Sequence, residues 1–129
     1  MRSLLLLLLL KSFLSAEYIA WIGSYERAHQ HALQEDKSLL ILLLPHHCNH
    51  QCYVDATQPF LDQKNITLIN KSYVGVIIKQ DQEDSFPIEL LYTLEYPSLF
   101  FLDKYELSEK EAIRGVFDAK RLYKSLSTD

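Results

Sequence analysis

The sequence predicts an α/β domain: a central mixed sheet flanked by helices. Three observations predict it. Uniformly apolar runs of strand length alternate with longer stretches of helical spacing. The alternation ends in two consecutive strand-like runs before a last amphipathic segment, which adds an antiparallel hairpin to the sheet. Beyond residue 16 no repeat, linker or low-complexity stretch interrupts the chain, so one core serves all of it.

The elements follow in order. Ser24 to about Asp36 is helical, with Ser24 as N-cap and Tyr25, Ala28, Ala32 and Leu33 facing the core. His29 and His31, two apart, point to different sides and read as surface residues. Leu39 to Leu44 has the composition of a strand covered on both faces, and Pro45 stops it. A helix is expected from about His47 to Leu61, disturbed at Pro59, with Asn65 to Lys71 as its continuation or a further turn. Tyr73 to Ile78 is a second buried strand. The polar segment from Lys79 to Ser85 is a loop, and Pro87 opens a helix running to about Glu95. Ser98 to Asp103 is a strand, Asp103 to Lys110 a polar turn, Glu111 to Val116 the last strand, and Asp118 to Leu126 the closing helix.

The N-terminus reads MRSLLLLLLLKSFLSA. A cationic start, a leucine run from Leu4 to Leu10 and a small-residue ending at Ser15-Ala16 form a signal-peptide pattern with cleavage after Ala16. Lys11 leaves the run too short to span a bilayer, so no membrane span is expected after cleavage. The expected division is 1–16 signal peptide and 17–129 folded domain, in a periplasmic or secreted location. Losing Arg2 and Lys11 moves the formal charge from −4 to −6. An acidic domain with no basic block is not a nucleic-acid binder, because phosphate contacts need clustered Lys and Arg. No phosphate-cradling glycine loop and no serine–histidine nucleophile motif is present. The sequon Asn65-Ile66-Thr67 bears on glycosylation in a glycosylating pathway alone.

Chemistry concentrates between Pro45 and Tyr53. His46, His47 and His50 stand with both cysteines of the chain, Cys48 and Cys52, inside seven positions. In an oxidising compartment such a pair forms or trades a disulfide.

The element order, with two cysteines after the first buried strand, resembles the thioredoxin fold. The chain is most similar to exported, periplasmic thioredoxin-like domain proteins. The likeness rests on four segments in order: Trp21, Tyr25-Glu26, Ala28, Ala32 and Lys37 leading into Leu39 to Leu44; LINKSYVGVIIKQD; EYPSLFFLD; and Arg114-Gly115 before the last helix. Three departures stand out. Asn49, His50 and Gln51 separate the cysteines, where the family has two residues. Tyr96 precedes Pro97, where Thr, Val or Ile is usual. The strand Leu39 to Leu44 lacks the buried carboxylate that serves thioredoxin as proton acceptor.

The resemblance implies thiol–disulfide exchange with the thiols and disulfides of other exported proteins, and an unidentified partner that recycles the couple. No cofactor is needed. Cys48 is the expected attacking thiol, because an opening helix favours its thiolate, and Cys52 the resolving one. His46, His47 and His50 would tune the thiolate. Tyr96 and Pro97, the latter after a cis bond, would bind an extended substrate as an added strand. The C-x-x-x-C spacing carries its own expectation. Residues four apart on a helix hold their Cβ atoms about 5–6 Å apart, and a disulfide wants about 3.5–4.5 Å. A widened first turn or a strained bond is therefore expected. The alternative is copper or zinc held by Cys48 and Cys52 with His47 and His50, a pattern that partly matches a copper-delivering branch of the fold. A third reading is a non-catalytic binding module whose groove is lined by Tyr53, Phe60, Tyr92 and Tyr96.

Overall fold

The computed structural model describes residues 17–80 and 91–128. The expected leader lies outside the described residues, as do most of the polar loop and the start of the helix expected from Pro87. Four helices, a short 3₁₀ turn and four strands are described: α1 (Tyr25–Glu35), β1 (Ser38–Leu44), α2 (His50–Thr57), the 3₁₀ turn (Gln58–Leu61), α3 (Gln63–Ser72), β2 (Tyr73–Lys79), β3 (Ser98–Leu102), β4 (Ser108–Arg114) and α4 (Ala119–Ser127). The sheet order is β2-β1-β3-β4. Strand β1 pairs parallel to β2 and antiparallel to β3, and β3 pairs antiparallel to β4. The mixed sheet flanked by helices is the α/β architecture expected.

Strand β1 is the axis. Its side chains alternate across the sheet, as the two-residue period requires. Leu40, Leu42 and Leu44 pack under α2, α3 and α4 with Leu99, Phe101, Ile69 and Leu122. Leu39, Ile41 and Leu43 pack under α1 with Val74, Val76 and Phe100. Burial on both faces explains why the run shows no polar alternation. On α1, Tyr25, Ala28 and Ala32 are buried as expected, while Leu33 is exposed. Ahead of α1, Ile22 bridges to Val76 of β2 in parallel. Trp21 reaches over the sheet there because Gly75 has no side chain: a Cβ at that position would lie 3.0 Å from the indole.

Pro59 ends α2 early, and the chain turns through a 3₁₀ segment with that proline near its start before α3 begins at an Asp62 N-cap. The last strand starts earlier than expected, at Ser108 rather than Glu111. Its first half is polar because Lys110, not an aliphatic residue, covers Phe101. The Lys110 ammonium lies 6.0 Å from the ring centroid and donates to the Ser125 carbonyl, so the stem is buried while the charge stays paired. Residues 91–95 are not helical, contrary to the helix expected up to Glu95. His29 also departs from its surface reading. Its Nε2 donates to the Lys104 carbonyl at 2.7 Å, and its Nδ1 lies 3.2 Å from Glu106, which ties α1 to the β3–β4 turn.

Asn65 of the sequon is fully buried. Its Nδ2 donates to the Pro59 carbonyl at 3.1 Å and to the Ala119 carbonyl at 3.0 Å, joining the 3₁₀ turn to the start of α4. In the folded protein this amide is a structural clamp, inaccessible to a glycan-transferring enzyme. Asn65→Ala is expected to cost about 2–4 kcal/mol, since two carbonyls lose their partners. Urea denaturation of the oxidised protein measures this, and a change below about 0.5 kcal/mol would contradict the clamp.

Burial pushes the Tyr73 phenol up to about 12, and the Glu109 carboxylate adds to the shift. Tyr25 is raised by burial first and by Glu106 second. The unfolded chain therefore ionises these phenols at a lower pH than the folded one. Stability is full below the ordinary phenol value of 10.0 and falls as pH rises from there toward about 12. Tyr73→Phe should flatten that loss in urea titrations across the same pH range; an unchanged slope would show that Tyr73 does not contribute.

Candidate active site

The site forms where β1 leaves the sheet. Pro45 carries no N–H and ends the ladder after Leu44. His46 and His47 make a turn, and His47 adopts a left-handed backbone, φ 57°. The turn points Cys48 inward. Cys48 is 9% exposed and joins the cluster of Leu42, Leu44, Ala56 and Phe60. Asn49 then caps α2, its Oδ1 accepting the Cys52 N–H at 2.8 Å.

The helix thus begins at His50, so Cys52 lies in its first turn and Cys48 lies outside it. The two are joined as a disulfide with Cα atoms 5.3 Å apart, and no cysteine is free. The expected conflict between helical spacing and disulfide geometry does not arise. It assumed that both cysteines stand on one helix starting at His47, and the cap at Asn49 removes that premise.

The second wall comes from the segment before β3. The Tyr96–Pro97 bond is cis, as the resemblance implies. A buried polar knot braces this turn. Thr93 Oγ1 accepts the Glu95 N–H and lies 3.0 Å from the Ser98 hydroxyl, which donates to the Glu95 carbonyl at 2.6 Å. From β4, Arg114 donates to the Tyr92 carbonyl and the Gly115 N–H to the Pro97 carbonyl, each at 2.8 Å. Gly115 has φ 85°, and a Cβ there would lie 3.0 Å from the Glu95 carboxylate, so the position suits glycine.

Pro45, Cys52, Asp55, Ala56, Tyr96, Pro97, Val116 and Phe117 enclose an open cavity of about 170 Å³. Its wall is mostly apolar, with Asp55 as the charged member. Cys52 lines it and also packs against the core cluster to which Cys48 belongs. The three histidines beside the cysteines are exposed, and the His46 and His47 rings lie 4.5 Å apart. Among the described residues no three His, Cys, Asp or Glu side chains group to hold a metal, and both sulfurs are tied in the disulfide.

No protein-family model and no curated protein matches the chain. Solved structures do. A putative disulphide-isomerase from Bacteroides thetaiotaomicron is 23% identical with a TM-score of 0.66, covering 85% of this chain and 91% of that one. The fold is thioredoxin-like. A thioredoxin from Thermus thermophilus (17% identity, TM-score 0.64, 84% of each chain) and DsbH oxidoreductase (16%, 0.62, 84% of this chain and 83% of that one) share it.

Within this thioredoxin-like fold, the structure brings Cys52, Tyr96 and Pro97 into one cavity. Phe60, expected in a groove, is instead a core residue wedged edge-on between Trp21 at 5.0 Å and Phe117 at 5.9 Å. Tyr53 and Tyr92 are exposed but do not line the cavity. Asp55 and Ala56 also line the cavity; their spacing of three and four after Cys52 puts them on its face of α2. Val116 and Phe117 carried no sequence signal, because they reach the cavity through the register of the β3–β4 hairpin.

The left-handed residue at His47 gives a prediction. A β-branched residue tolerates that conformation poorly, at a cost of about 1–2 kcal/mol, whereas glycine adopts it freely. His47→Val should destabilise the oxidised protein by about that amount, and His47→Gly by less than about 0.5 kcal/mol. Equal losses in chemical denaturation would contradict the role of the turn.

Proposed function

We propose that the protein is an exported thiol–disulfide oxidoreductase that trades disulfides with cysteines of other exported proteins. One observation carries this reading: a closed Cys48–Cys52 disulfide in the wall of an open apolar cavity, beside Tyr96 and Pro97. A disulfide reached from such a cavity is accessible to a partner thiolate, which is what exchange requires. The apolar surface of Val116 and Phe117 and the backbone at Tyr96-Pro97 suit an extended polypeptide laid along the turn. Similar folds in proteins named as an oxidoreductase and a putative disulphide-isomerase support the reading. The signal-like N-terminus supports export. A second protein must restore the spent form of the couple, since exchange leaves it in the opposite redox state.

The test is exchange with a polypeptide. The oxidised protein should oxidise a peptide dithiol, or the reduced protein reduce insulin, well above the rate of an equal concentration of glutathione in the same redox form. The double variant Cys48→Ser, Cys52→Ser should do neither. A wild-type rate no greater than that of glutathione would sink the reading.

A further inference from the structure

If the couple trades disulfides as proposed, the surface beside it selects the polypeptide it meets. On that reading, we infer that the partner is an extended segment with an apolar residue beside its cysteine and lysine or arginine further along the chain. The cations lie in an acidic groove that continues the cavity at the disulfide.

The groove is open, about 540 Å³, and meets the cavity at Asp55 and Phe117, which line both. Pro59, Leu61, Asp62 and Asp118 form more of its wall. Two aliphatic side chains stand in water along this course: Val116 at the cavity is 90% exposed and Leu61 at the groove 67%. Apolar surface left uncovered beside a reactive bond suits a chain laid across it.

Charge sets the kind of chain. Asp55, Asp62 and Asp118 are exposed, and among the described residues no Lys, Arg or His lines either depression. None of the three carboxylates is ion-paired among the described residues. Each makes one local bond, through Oδ1 in every case: Asp55 accepts from Gln51 Nε2 at 2.8 Å, Asp62 from the Lys64 N–H at 3.0 Å and Asp118 from the Arg121 N–H at 2.8 Å. The second oxygen of each is left for a visiting cation. The Arg121 guanidinium turns away, donating to Ser125 beside a separate depression that includes Glu109 and Glu111. The helix dipole favours the charge at the caps Asp62 and Asp118. It disfavours a carboxylate at Asp55, in the last turn of α2, so that charge answers to something outside the helix. A second copy of this chain is a poor occupant, since its formal charge of −4 repels the same surface.

The test uses dithiol peptides that share one apolar core around their cysteines and differ in flanks of lysine or glutamate. The oxidised protein oxidises each, and each rate is divided by that of hydroxyethyl disulfide, a neutral oxidant that removes the effect of the flank on the peptide thiol. At about 0.01 M ionic strength the lysine peptide should react about tenfold faster than the glutamate peptide. At about 1 M salt the gap should close to less than about twofold. The double variant Asp62→Asn, Asp118→Asn keeps both caps and should lose most of the low-salt gap. Glu26→Gln with Glu35→Gln removes the same charge from α1, on the other face of the sheet, and should keep it. Equal normalised rates for the two peptides, or equal loss in both double variants, would overturn the inference.

A second measurement needs no exchange. The lysine peptide with serine in place of cysteine should shift the amide NMR signals of Phe117 and Ala119, and the glutamate counterpart should leave them in place. Shifts from neither peptide, or from both alike, would count against the groove. Insulin separates the two ideas. A protein that reduces insulin but treats the peptides alike keeps the proposed function and loses this inference. One that binds the lysine–serine peptide but is inert to insulin loses the proposed function and keeps the acidic docking surface.

Discussion

Strand β1 pairs on both sides and is buried on both faces, and the position of the site follows from that. The side chains of its five leucines and one isoleucine have no polar group to offer water, so the run needs a neighbour strand on each edge and helices above and below. The antiparallel register with β3 sets Leu43 opposite Ser98. The chain leaving β1 at Pro45 and the chain entering β3 at Pro97 therefore cross the same end of the sheet side by side. One emerging segment carries the disulfide and the other the Tyr96-Pro97 turn. Their meeting is a consequence of ladder register, so neither segment has to find the other through loop flexibility. Gly115, next along the hairpin, holds the Pro97 carbonyl and adds a third fixed point.

How much of this the sequence discloses depends on whether a residue's role is local. β1, β2 and β3 are legible because each is an unbroken apolar run, and such a run has one stable placement. β4 is half hidden because Lys110 substitutes a buried stem for an apolar side chain, and residue type alone reports the charge and not the stem. The helix expected through residues 91–95 fails for a related reason. Thr93 and Ser98 bond to the backbone of Glu95 and to each other, and such side-chain bonds compete with helix formation. The cysteine pair shows the sharpest limit. Spacing alone suggests two residues on one helical face; the Asn49 cap, readable from its type, moves the helix start past Cys48 and changes the geometry. Val116 and Phe117 are beyond local reading altogether, since only the hairpin register brings them to the cavity.

The histidines beside the cysteines are less decisive than their density suggests. All three are exposed, so water and salt screen whatever charge they carry before it reaches a sulfur packed in the core. Two kinds of group stand near Cys48: the apolar side chains that share its burial and, next along the chain, the amides that open α2. These pull in opposite directions. Loss of water disfavours a thiolate, and oriented amides favour it. A helix N-terminus offers at most about 2 kcal/mol in partly buried geometries, and here the Asn49 cap already takes the Cys52 N–H, so the amides do not outweigh complete burial. Residual solvent contact at Cys48 therefore matters to the balance, and the turn at His47 that sets its depth is a chemical determinant as well as a structural one.

The same comparison bears on the missing carboxylate of β1. A carboxylate on that strand would sit among Leu42, Leu44 and Phe101, where an unpaired charge is costly. Here β1 is apolar from Leu39 to Leu44, and the carboxylate that shares a cavity wall with Cys52 stands on α2, at Asp55, one turn further along and open to water. Gln51 donates to Asp55 at 2.8 Å and holds its side chain along the helix. A carboxylate so placed shares the cavity wall with Cys52. Asp55 and Cys52 thus share the cavity wall while Cys48 belongs to the core cluster, an arrangement that keeps the charge at the surface and leaves the core-facing run of β1 apolar.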